Sequence, residues 1–345
     1  MAKKTDPRKT LDNELKSSVF LIAVPVIVFA FQIIRVSRSV WITLLSFVAV
    51  TALMAVFIWF SGPVMLKRFK TWIDASPNRV WVFPLAAWLF INLFASLSGQ
   101  FAVYTLLGSL VWCILPVALA RQLRNKGPKL QWLDVLIVLV LWFPVEFGLL
   151  SPVILPPGAG LPILHLTGVL LLFYIYLVLR DLPDIGYSFR LKQNEWQVAV
   201  MTFLALLPIL IGIGMATDFI SLAHRLSGIG VMLSQLVTIY FLVAIPEEML
   251  FRGVIQNLVE KRLPGKHAGW LALIITSVIF GLTHINNTIG PIWQLGSVSV
   301  PWGYVLMATL AGLGYGYTWY KTKKITAAAL VHLLVNWTWI VIFNG

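Results

Sequence analysis

Two adjacent glutamates and an arginine stand in a strongly apolar part of the sequence, IPEEMLFRGVI at 245–255. A charged side chain inside a membrane helix is costly and by default indicates function. Glu248 and Arg252 are four residues apart, so on a helix they share a face and can form an ion pair. Glu247 is rotated by about 100° from Glu248 and lacks that partner. The spacing therefore predicts one acid that is held and a second, Glu247, that is free to point into a cavity.

Two further polar pairs have the same helical spacing. FGLTH places Phe280 and His284 four residues apart, and HLLVN does the same with His332 and Asn336. A carboxylate can take a proton from water, while imidazole and amide groups can hold the water or stabilise an oxyanion. With Glu247, these side chains form a hydrolytic set. Alternatively, Glu247, His284 and His332 can ligate zinc, since two histidines and one carboxylate suffice for a catalytic site.

Each histidine also has a structural interpretation, because a histidine in a membrane helix often only hydrogen-bonds to a neighbouring helix. For His165 the two interpretations are equally good, and for His284 and His332 taken singly the structural one is favoured. The acid pair shifts the balance for these two towards function. Glu146 is a further intramembrane acid that can line a cavity or cap a helix, and no catalysis is assigned to it. Asp134 is expected to reach the lipid headgroups.

The composition requires a membrane around these residues. Of the 345 residues, 59% are hydrophobic and 11% are charged, against about 25% charged in a soluble domain. Residues 80–120 and 267–320 contain no Asp, Glu, Lys or Arg. Each run can hold two helices of about 20 residues that cross a bilayer. The runs are continuous rather than alternating, which excludes a β-barrel. The expected fold is an all-α, polytopic transmembrane helical bundle.

The distribution of basic residues gives this bundle an orientation. We predict eleven spans, at 18–34, 40–60, 80–97, 101–119, 132–150, 162–179, 196–215, 229–250, 269–284, 302–320 and 325–343. Of the 26 Lys and Arg, 22 lie in alternate non-membrane segments that start with the N-terminal tail. The other segments hold three, and the remaining one is Arg252. By the positive-inside rule the N-terminus is cytoplasmic and the C-terminus lies on the opposite face.

Other classes of protein are excluded by the same data. The net charge of +13 is spread in short clusters between apolar runs, which does not favour nucleic-acid binding. The single cysteine, Cys113, excludes an internal disulfide and a multi-cysteine metal site. The first apolar run is too long for a signal peptide and has no small-residue cleavage site, so we expect it to remain in the protein.

The three motifs together resemble those of a known family. PEEMLFRG, FGLTH and HLLVN match, in order and spacing, the EExxxR, FxxxH and HxxxN motifs of the CPBP family. These are the CAAX-protease-like (Abi-like) intramembrane peptidases, which include prenyl-protein endopeptidases and bacterial bacteriocin-processing or immunity proteins. The resemblance covers about Asn194 to Asn344. It implies a peptidase core at 191–345, preceded by a transmembrane region at 1–190 whose role it does not define.

The resemblance also implies a role for each matching residue. Glu247 corresponds to the glutamate that activates water, and Glu248 and Arg252 to its supporting pair. His284 would bind or position the water, with Phe280 supporting it. His332 and Asn336 would stabilise the tetrahedral intermediate. The family is described both as metal-dependent and as metal-free, so a zinc ion on Glu247, His284 and His332 stays an alternative, and no obligatory metal is slightly preferred.

We therefore expect an integral protein of the cell (plasma or inner) membrane that cleaves a membrane-anchored or hydrophobic peptide. Its cavity is expected to open towards the cytoplasm, and its partners to be the lipid bilayer and the peptide, without nucleic acid. Two alternatives stay open. One is a non-proteolytic immunity or scaffold protein of the same fold, and the other a transporter that uses Glu146 and Glu247 as a relay.

The predicted spans create one conflict over depth. Counting 1.5 Å per residue from the span ends, Glu247 lies about 5 Å and His332 about 10 Å from the cytoplasmic surface. His284, sixteen residues after Ala268, lies at about 24 Å by the same rule. The three side chains can share a site only if the ninth span, 269–284, is tilted or begins later than predicted; otherwise the proposed site is wrong.

Overall fold

The long apolar runs form α-helices in the computed structural model, which describes residues 7–157, 160–222, 228–287, 289–295 and 298–344. Helices satisfy every backbone hydrogen bond within one segment, which lipid requires. The described residues contain twelve continuous helices and three short antiparallel strand pairs. The predicted all-α, polytopic fold is confirmed. The chain divides into two units, Met1–Leu182 and Pro183–Gly345.

The first unit contains seven helices within its described residues. They are α1 (Pro7–Val36), α2 (Val40–Trp59), α3 (Pro63–Asp74), α4 (Val82–Leu97), α5 (Val103–Leu123), α6 (Trp132–Glu146) and α7 (Ile163–Leu179). A 3₁₀ turn at Pro77–Trp81 leads into α4. Between α6 and α7, strand β1 (Ile154–Leu155) pairs with β2 (Leu161–Pro162).

The second unit contains five helices in the part of it that the structure describes. They are α8 (Gln193–Ala216), α9 (Ile229–Arg262), α10 (Ala268–Leu282), α11 (Trp302–Thr322) and α12 (Ile325–Ile342). Strand β3 (Ser221–Leu222), after α8, pairs with β6 (Phe343–Asn344) at the end of α12. Strands β4 (Trp293–Leu295) and β5 (Val298–Val300) pair between α10 and α11. The unit begins eight residues before the peptidase core expected at 191, whose role stays a prediction.

Each of the eleven predicted spans coincides with one helix. Among the described residues, seven helices, including α8, α9 and α12, are long and apolar enough to cross a bilayer, and α7 and α10 are shorter apolar helices. The chain is an integral membrane protein. The count of eleven spans stays a prediction, because α6 and α11 are in neither group. The amphipathic helix α3, with Lys67, Arg68 and Lys70, was not predicted.

In the first unit, Asp134 does not reach the headgroups as expected. It is 1% exposed and faces Arg180, which is 7% exposed. The Nε of Arg180 donates to Oδ1 of Asp134 at 3.2 Å, and Nη2 donates to Oδ2 at 3.3 Å. The headgroup interpretation is therefore wrong, because a carboxylate that finds a bidentate partner on a neighbouring helix needs no lipid contact. The exposed side chain of Glu146 also lies in this unit.

Helices α10 and α11 approach each other closely at small residues. A Cβ on Gly281 of α10 would come within 1.9 Å of Oγ1 of Thr309 and 2.7 Å of the carbonyl oxygen of Val305. On α11, a Cβ at Gly312 would lie 3.1 Å from the ring of Phe280 and 3.2 Å from Nη2 of Arg252. Small residues let membrane helices pack backbone to backbone. This packing brings α11 against the helices that carry the motifs.

The helix with the acid pair, α9, is locally widened. π-Helical turns at Tyr240–Ala244 and Met249–Gln256 flank a short α-helical stretch that contains Pro246. Proline lacks the N–H that would bond the carbonyl four residues earlier, and so favours such irregularities. π-Helical turns inside α-helices occur frequently at functional sites. Glu247 and Glu248 lie directly between these two turns.

Candidate active site

A cavity of about 150 Å³ lies inside the second unit. All five helices of this unit contribute to its lining. Most of the lining is apolar. The polar side chains are few, and they include Glu247, His284, His332 and Asn336 together with Tyr304 and Tyr315. The structure thus brings the four residues predicted to be catalytic to one cavity, although they come from α9, the turn after α10, and α12.

Glu248 does not line the cavity and is held from two sides. Its side chain is completely buried, and Oε1 accepts a hydrogen bond from Nη1 of Arg252 at 3.2 Å. The same oxygen faces Nδ1 of His332 at 2.9 Å. Arg252 is also completely buried, and its Nη2 donates to the carbonyl oxygen of Gly312 at 2.8 Å. The ion pair expected from the four-residue spacing is present.

The aromatic rings around Arg252 complete its environment. The guanidinium carbon lies 4.7 Å from the ring centroid of Phe280 and 5.4 Å from that of Tyr315. Ring faces attract a cation most when water is excluded. Phe280 also contacts the rings of His284 and His332, at centroid distances of 4.8 and 6.0 Å. The phenylalanine of the FGLTH motif is thus the central packing residue of the site.

Unlike Glu248, Glu247 is partly exposed and lines the cavity. Its side chain is 32% exposed, and Oε2 lies 3.7 Å from Nε2 of His332, beyond hydrogen-bond distance. In the described parts of the chain, Oε2 has no hydrogen-bond partner; the same is true of Oε2 of Glu248, but only Glu247 lines the cavity. A carboxylate with an unoccupied oxygen at the wall of a cavity can accept a proton from a bound water.

In both histidines, Nδ1 is engaged within the protein and Nε2 is the ring nitrogen left for a ligand. The Nδ1 of His284 lies 2.8 Å from the carbonyl oxygen of Phe280. Because a carbonyl oxygen only accepts, this Nδ1 carries a proton, and Nε2 of the neutral ring keeps a lone pair. In His332, Nδ1 faces the carboxylate of Glu248, and Nε2 faces Glu247. Each ring is anchored through Nδ1 and leaves Nε2 for a ligand.

The conflict over depth disappears because α9 is longer than the predicted span. The helix continues to Arg262, twelve residues beyond the expected end at 250. Glu247 lies fifteen residues before that end, which is about 22 Å along the helix. The corresponding distance for His284, sixteen residues after Ala268, is about 24 Å. The two residues therefore lie at similar depths, and His332 joins them through its contact with Glu248.

The cavity extends away from the basic end of the unit. That end carries Lys261, and an ion pair joins Lys323 to Glu260 at 2.6 Å. The most buried lining residues, each at most 2% exposed, lie on the side of the cavity next to Arg252; they are Phe280, Tyr315 and His332. The remaining lining continues towards the opposite end of the unit and is partly exposed there; it includes Ile220, Tyr304, Asn336 and Trp339.

This direction differs from the expectation of a cavity open towards the cytoplasm. With the orientation that the positive-inside rule gives, the basic end is cytoplasmic, and the cavity extends towards the other face. The reason is the direction of the helices. Helices α8 and α12 end on the side of the cavity where Phe219 and Phe343 lie. Glu247, His284 and His332 lie at the opposite side, which we call the polar floor.

A metal site requires donor atoms that converge on one point. A catalytic zinc needs three protein ligands at about 2.0–2.2 Å from one point. No group of three or more His, Cys, Asp or Glu side chains in the described residues is arranged to hold a metal ion. The Nδ1 atoms of both histidines are engaged by a carbonyl and a carboxylate, which leaves Nε2 of each ring for a ligand. The zinc alternative on Glu247, His284 and His332 stays a prediction.

Sequence reasoning missed the contribution of α11. This helix contains no motif, but Tyr304 and Tyr315 line the cavity and Gly312 accepts a hydrogen bond from Arg252. One signal was available: the two tyrosines are eleven residues apart, which places them about 20° apart around a helix. Two phenol groups on one face of an otherwise apolar helix indicate that this face borders a polar region of the protein.

Residues 229–338 match the model of a family described as Rce1-like, type II CAAX prenyl endopeptidase. The matched segment lies within the second unit and holds all three motifs, from Glu247 to Asn336. The match confirms the family resemblance that the motifs predicted. No curated protein and no solved structure matches the chain.

Proposed function

We propose that the second unit is an intramembrane endopeptidase that hydrolyses a peptide bond with a water activated by Glu247. One observation carries the proposal: the side chain of Glu247 is 32% exposed and lines the cavity, while Glu248 beside it is completely buried, with Oε1 engaged by Arg252 and His332. A purely structural acid pair would have no reason to leave one member at a cavity wall. The match of this segment to a peptidase family supports the same conclusion.

The reaction balances with the residues present. Glu247 takes a proton from water, and the oxygen of that water bonds to the carbonyl carbon of the substrate. The carbonyl oxygen becomes an oxyanion. When the carbon–nitrogen bond breaks, the protonated Glu247 gives its proton to the leaving nitrogen. A positioned general base of this kind contributes about 10²–10⁴-fold to the rate.

The other polar residues have distinct tasks in this mechanism. The Nε2 lone pair of His284 accepts a hydrogen bond from the water and orients it. The side-chain amide of Asn336 donates to the oxyanion, and His332 donates through Nε2 when its ring carries both protons. Donors that are held in place before the reaction stabilise a developing oxyanion without reorganisation. In this proposal Glu248 and Arg252 hold His332 rather than touch the substrate.

The substrate is proposed to be a membrane-anchored or hydrophobic peptide. Apart from the polar floor, the cavity wall is built from aliphatic and aromatic side chains, among them Leu207, Leu210 and Trp339. The protein lies in a lipid bilayer, proposed to be the cell membrane, and the peptide would reach the cavity at the end remote from the basic residues. Prenylated CAAX proteins are substrates only in a host that prenylates proteins.

The test compares peptide termini in host membranes that contain the wild type or Glu247→Gln at equal levels. The substitution keeps the shape of the side chain but removes the base. We expect peptide ends that are present with the wild type and absent with the variant. Glu260→Gln on the same helix, whose partner is Lys323 outside the cavity, is the matched control and should give the wild-type ends.

The outcomes separate the alternatives. Identical ends from the wild type and a correctly folded Glu247→Gln protein would exclude the peptidase. A membrane protein retained by both forms would then favour the immunity or scaffold alternative, and ion-coupled flux in liposomes would favour a transporter. Neither alternative requires hydrolysis.

A further inference from the structure

Helix α11 contributes two tyrosines to the cavity, and each lies against one histidine. The ring of Tyr304 is stacked on that of His284, with a centroid distance of 5.2 Å and an interplanar angle of 17°. The ring of Tyr315 is stacked on that of His332 at 4.4 Å and 12°. The same arrangement therefore occurs twice, although His284 follows α10 and His332 belongs to α12.

The geometry of α11 explains the repetition. Tyr304 and Tyr315 are eleven residues apart, so they point in nearly the same direction and are separated by about 16 Å along the helix. Ala308 and Ala311 lie between them and also line the cavity. Small side chains at these two positions leave space between the stacked pairs. One face of α11 thus supports both histidines and leaves a gap in which a substrate can lie.

One hydrogen bond does not fix an imidazole ring. The bond from Nδ1 of His284 to the carbonyl oxygen of Phe280 sets the tautomer, but the ring can still tilt about that contact. The rings of Phe280 and Tyr304 contact the imidazole from two sides and limit this tilting. Their centroids lie 4.8 and 5.2 Å from that of the imidazole. Phe219 and Trp339 pack in turn around Tyr304, at 5.5 and 5.6 Å.

We propose that Tyr304 is a positioning residue that holds the imidazole plane of His284, so that Nε2 points at the water next to Glu247. Tyr315 is its buried counterpart for His332. The proposal rests on the hydrolytic function proposed for this site. It assigns the effect to the aromatic ring of Tyr304 and not to its hydroxyl group. A misplacement of about 1 Å in a catalytic group can cost about 10²-fold in rate.

The kinetic test separates ring from hydroxyl. With a peptide cleaved by the wild type, Tyr304→Leu should lower kcat by about 10- to 100-fold, with KM changed less than kcat. Tyr304→Phe keeps the stacked ring and should retain the wild-type kcat. Tyr317→Leu is the matched control, since this tyrosine of the same helix packs on Trp270 outside the cavity. A wild-type kcat for Tyr304→Leu, or an equal loss for Tyr304→Phe, would overturn the proposal.

A second measurement does not depend on activity. In protein labelled with ¹⁵N in the histidine rings and held in nanodiscs, the wild-type signals of His284 should show a protonated Nδ1 and an unprotonated Nε2. His284→Gln assigns these signals. Tyr304→Leu should keep this tautomer but broaden the ring signals, because the ring can then tilt about the Nδ1 contact, and Tyr304→Phe should give the wild-type signals. An unchanged His284 spectrum in Tyr304→Leu contradicts the positioning role even if the protein cleaves nothing, and a changed one supports it when the peptidase test fails.

Discussion

At the scale of single residues, the acid pair shows how neighbours in sequence acquire different surroundings. Glu248 is completely buried and engaged by Arg252 and His332, while Glu247 is 32% exposed at the cavity. Rotation by about 100° between consecutive helical residues is sufficient to separate them. The buried carboxylate is stable only because its partners are buried with it. The supporting pair therefore fixes the geometry in which Glu247 can act.

Arg252→Ala should destabilise the protein strongly. It removes the guanidinium that contacts Glu248, the carbonyl of Gly312 and the ring of Phe280. Breaking a buried ion pair from one side costs about 3–5 kcal/mol, because the remaining charge stays buried without its partner. Thermal unfolding in detergent would show this as a lower Tm. Arg262→Ala, at the exposed end of the same helix, is the control. Equal Tm values for the two variants would contradict the importance of the ion pair.

At the scale of elements, the site depends on the contact between α10 and α11. Helix α10 carries Phe280 and leads directly into His284, and α11 supplies the stacking tyrosines and the carbonyl of Gly312. The two helices meet where Gly281 faces Thr309. This contact sets the distance between the two sides of the cavity floor. A change in helix spacing at this point should therefore move His284 and Tyr304 relative to each other.

Gly281→Ala tests this contact. The added Cβ would lie 1.9 Å from Oγ1 of Thr309 and 2.7 Å from a backbone oxygen, so the helices must separate. Overpacking of this kind costs about 1–3 kcal/mol, and turnover should fall because His284 moves. Gly212→Ala in α8 is the matched control, since its Cβ meets nothing within 4 Å. Measurements of Tm and peptide cleavage on both variants test whether the spacing of α10 and α11 controls stability and turnover. An unaffected Gly281→Ala protein would show that the spacing is not critical.

At the scale of the whole molecule, the direction of the cavity is the main functional consequence of the fold. The basic residues collect at one end of the second unit, and the cavity leads from its polar floor towards the other end. By the positive-inside rule the basic end is predicted to be cytoplasmic. A substrate approaching from the non-cytoplasmic side would meet the apolar wall before it reaches Glu247.

Thiol labelling in intact cells tests this orientation. The sequence has a single cysteine, Cys113, which is buried and can be replaced by alanine. In that background Ser221→Cys, exposed beside the cavity, should react with a membrane-impermeant maleimide added outside the cells. Lys266→Cys, exposed between α9 and α10, should react only after the cells are permeabilised. The reverse labelling pattern would show that the cavity opens towards the cytoplasm.

The sequence by itself determined the features that depend on local physics. Each of the eleven apolar runs that were predicted to be spans coincides with a helix of the structure. The length of such a run and its lack of charge are properties of the chain segment itself. Spacing by four residues predicted the ion pair of Glu248 and Arg252, since both side chains belong to one helix. Three motifs on separate helices identified Glu247, His284, His332 and Asn336 as the candidate residues.

Only the tertiary structure decided how these helices meet. The burial of Asp134 against Arg180, the stacked tyrosines of α11 and the direction of the cavity all depend on contacts between segments far apart in the chain. Hydropathy and periodicity state which face of a helix is apolar, but they do not fix its tilt, its depth or its neighbour. Those quantities are set by close packing at positions such as Gly281, where side-chain shape and not polarity determines the contact.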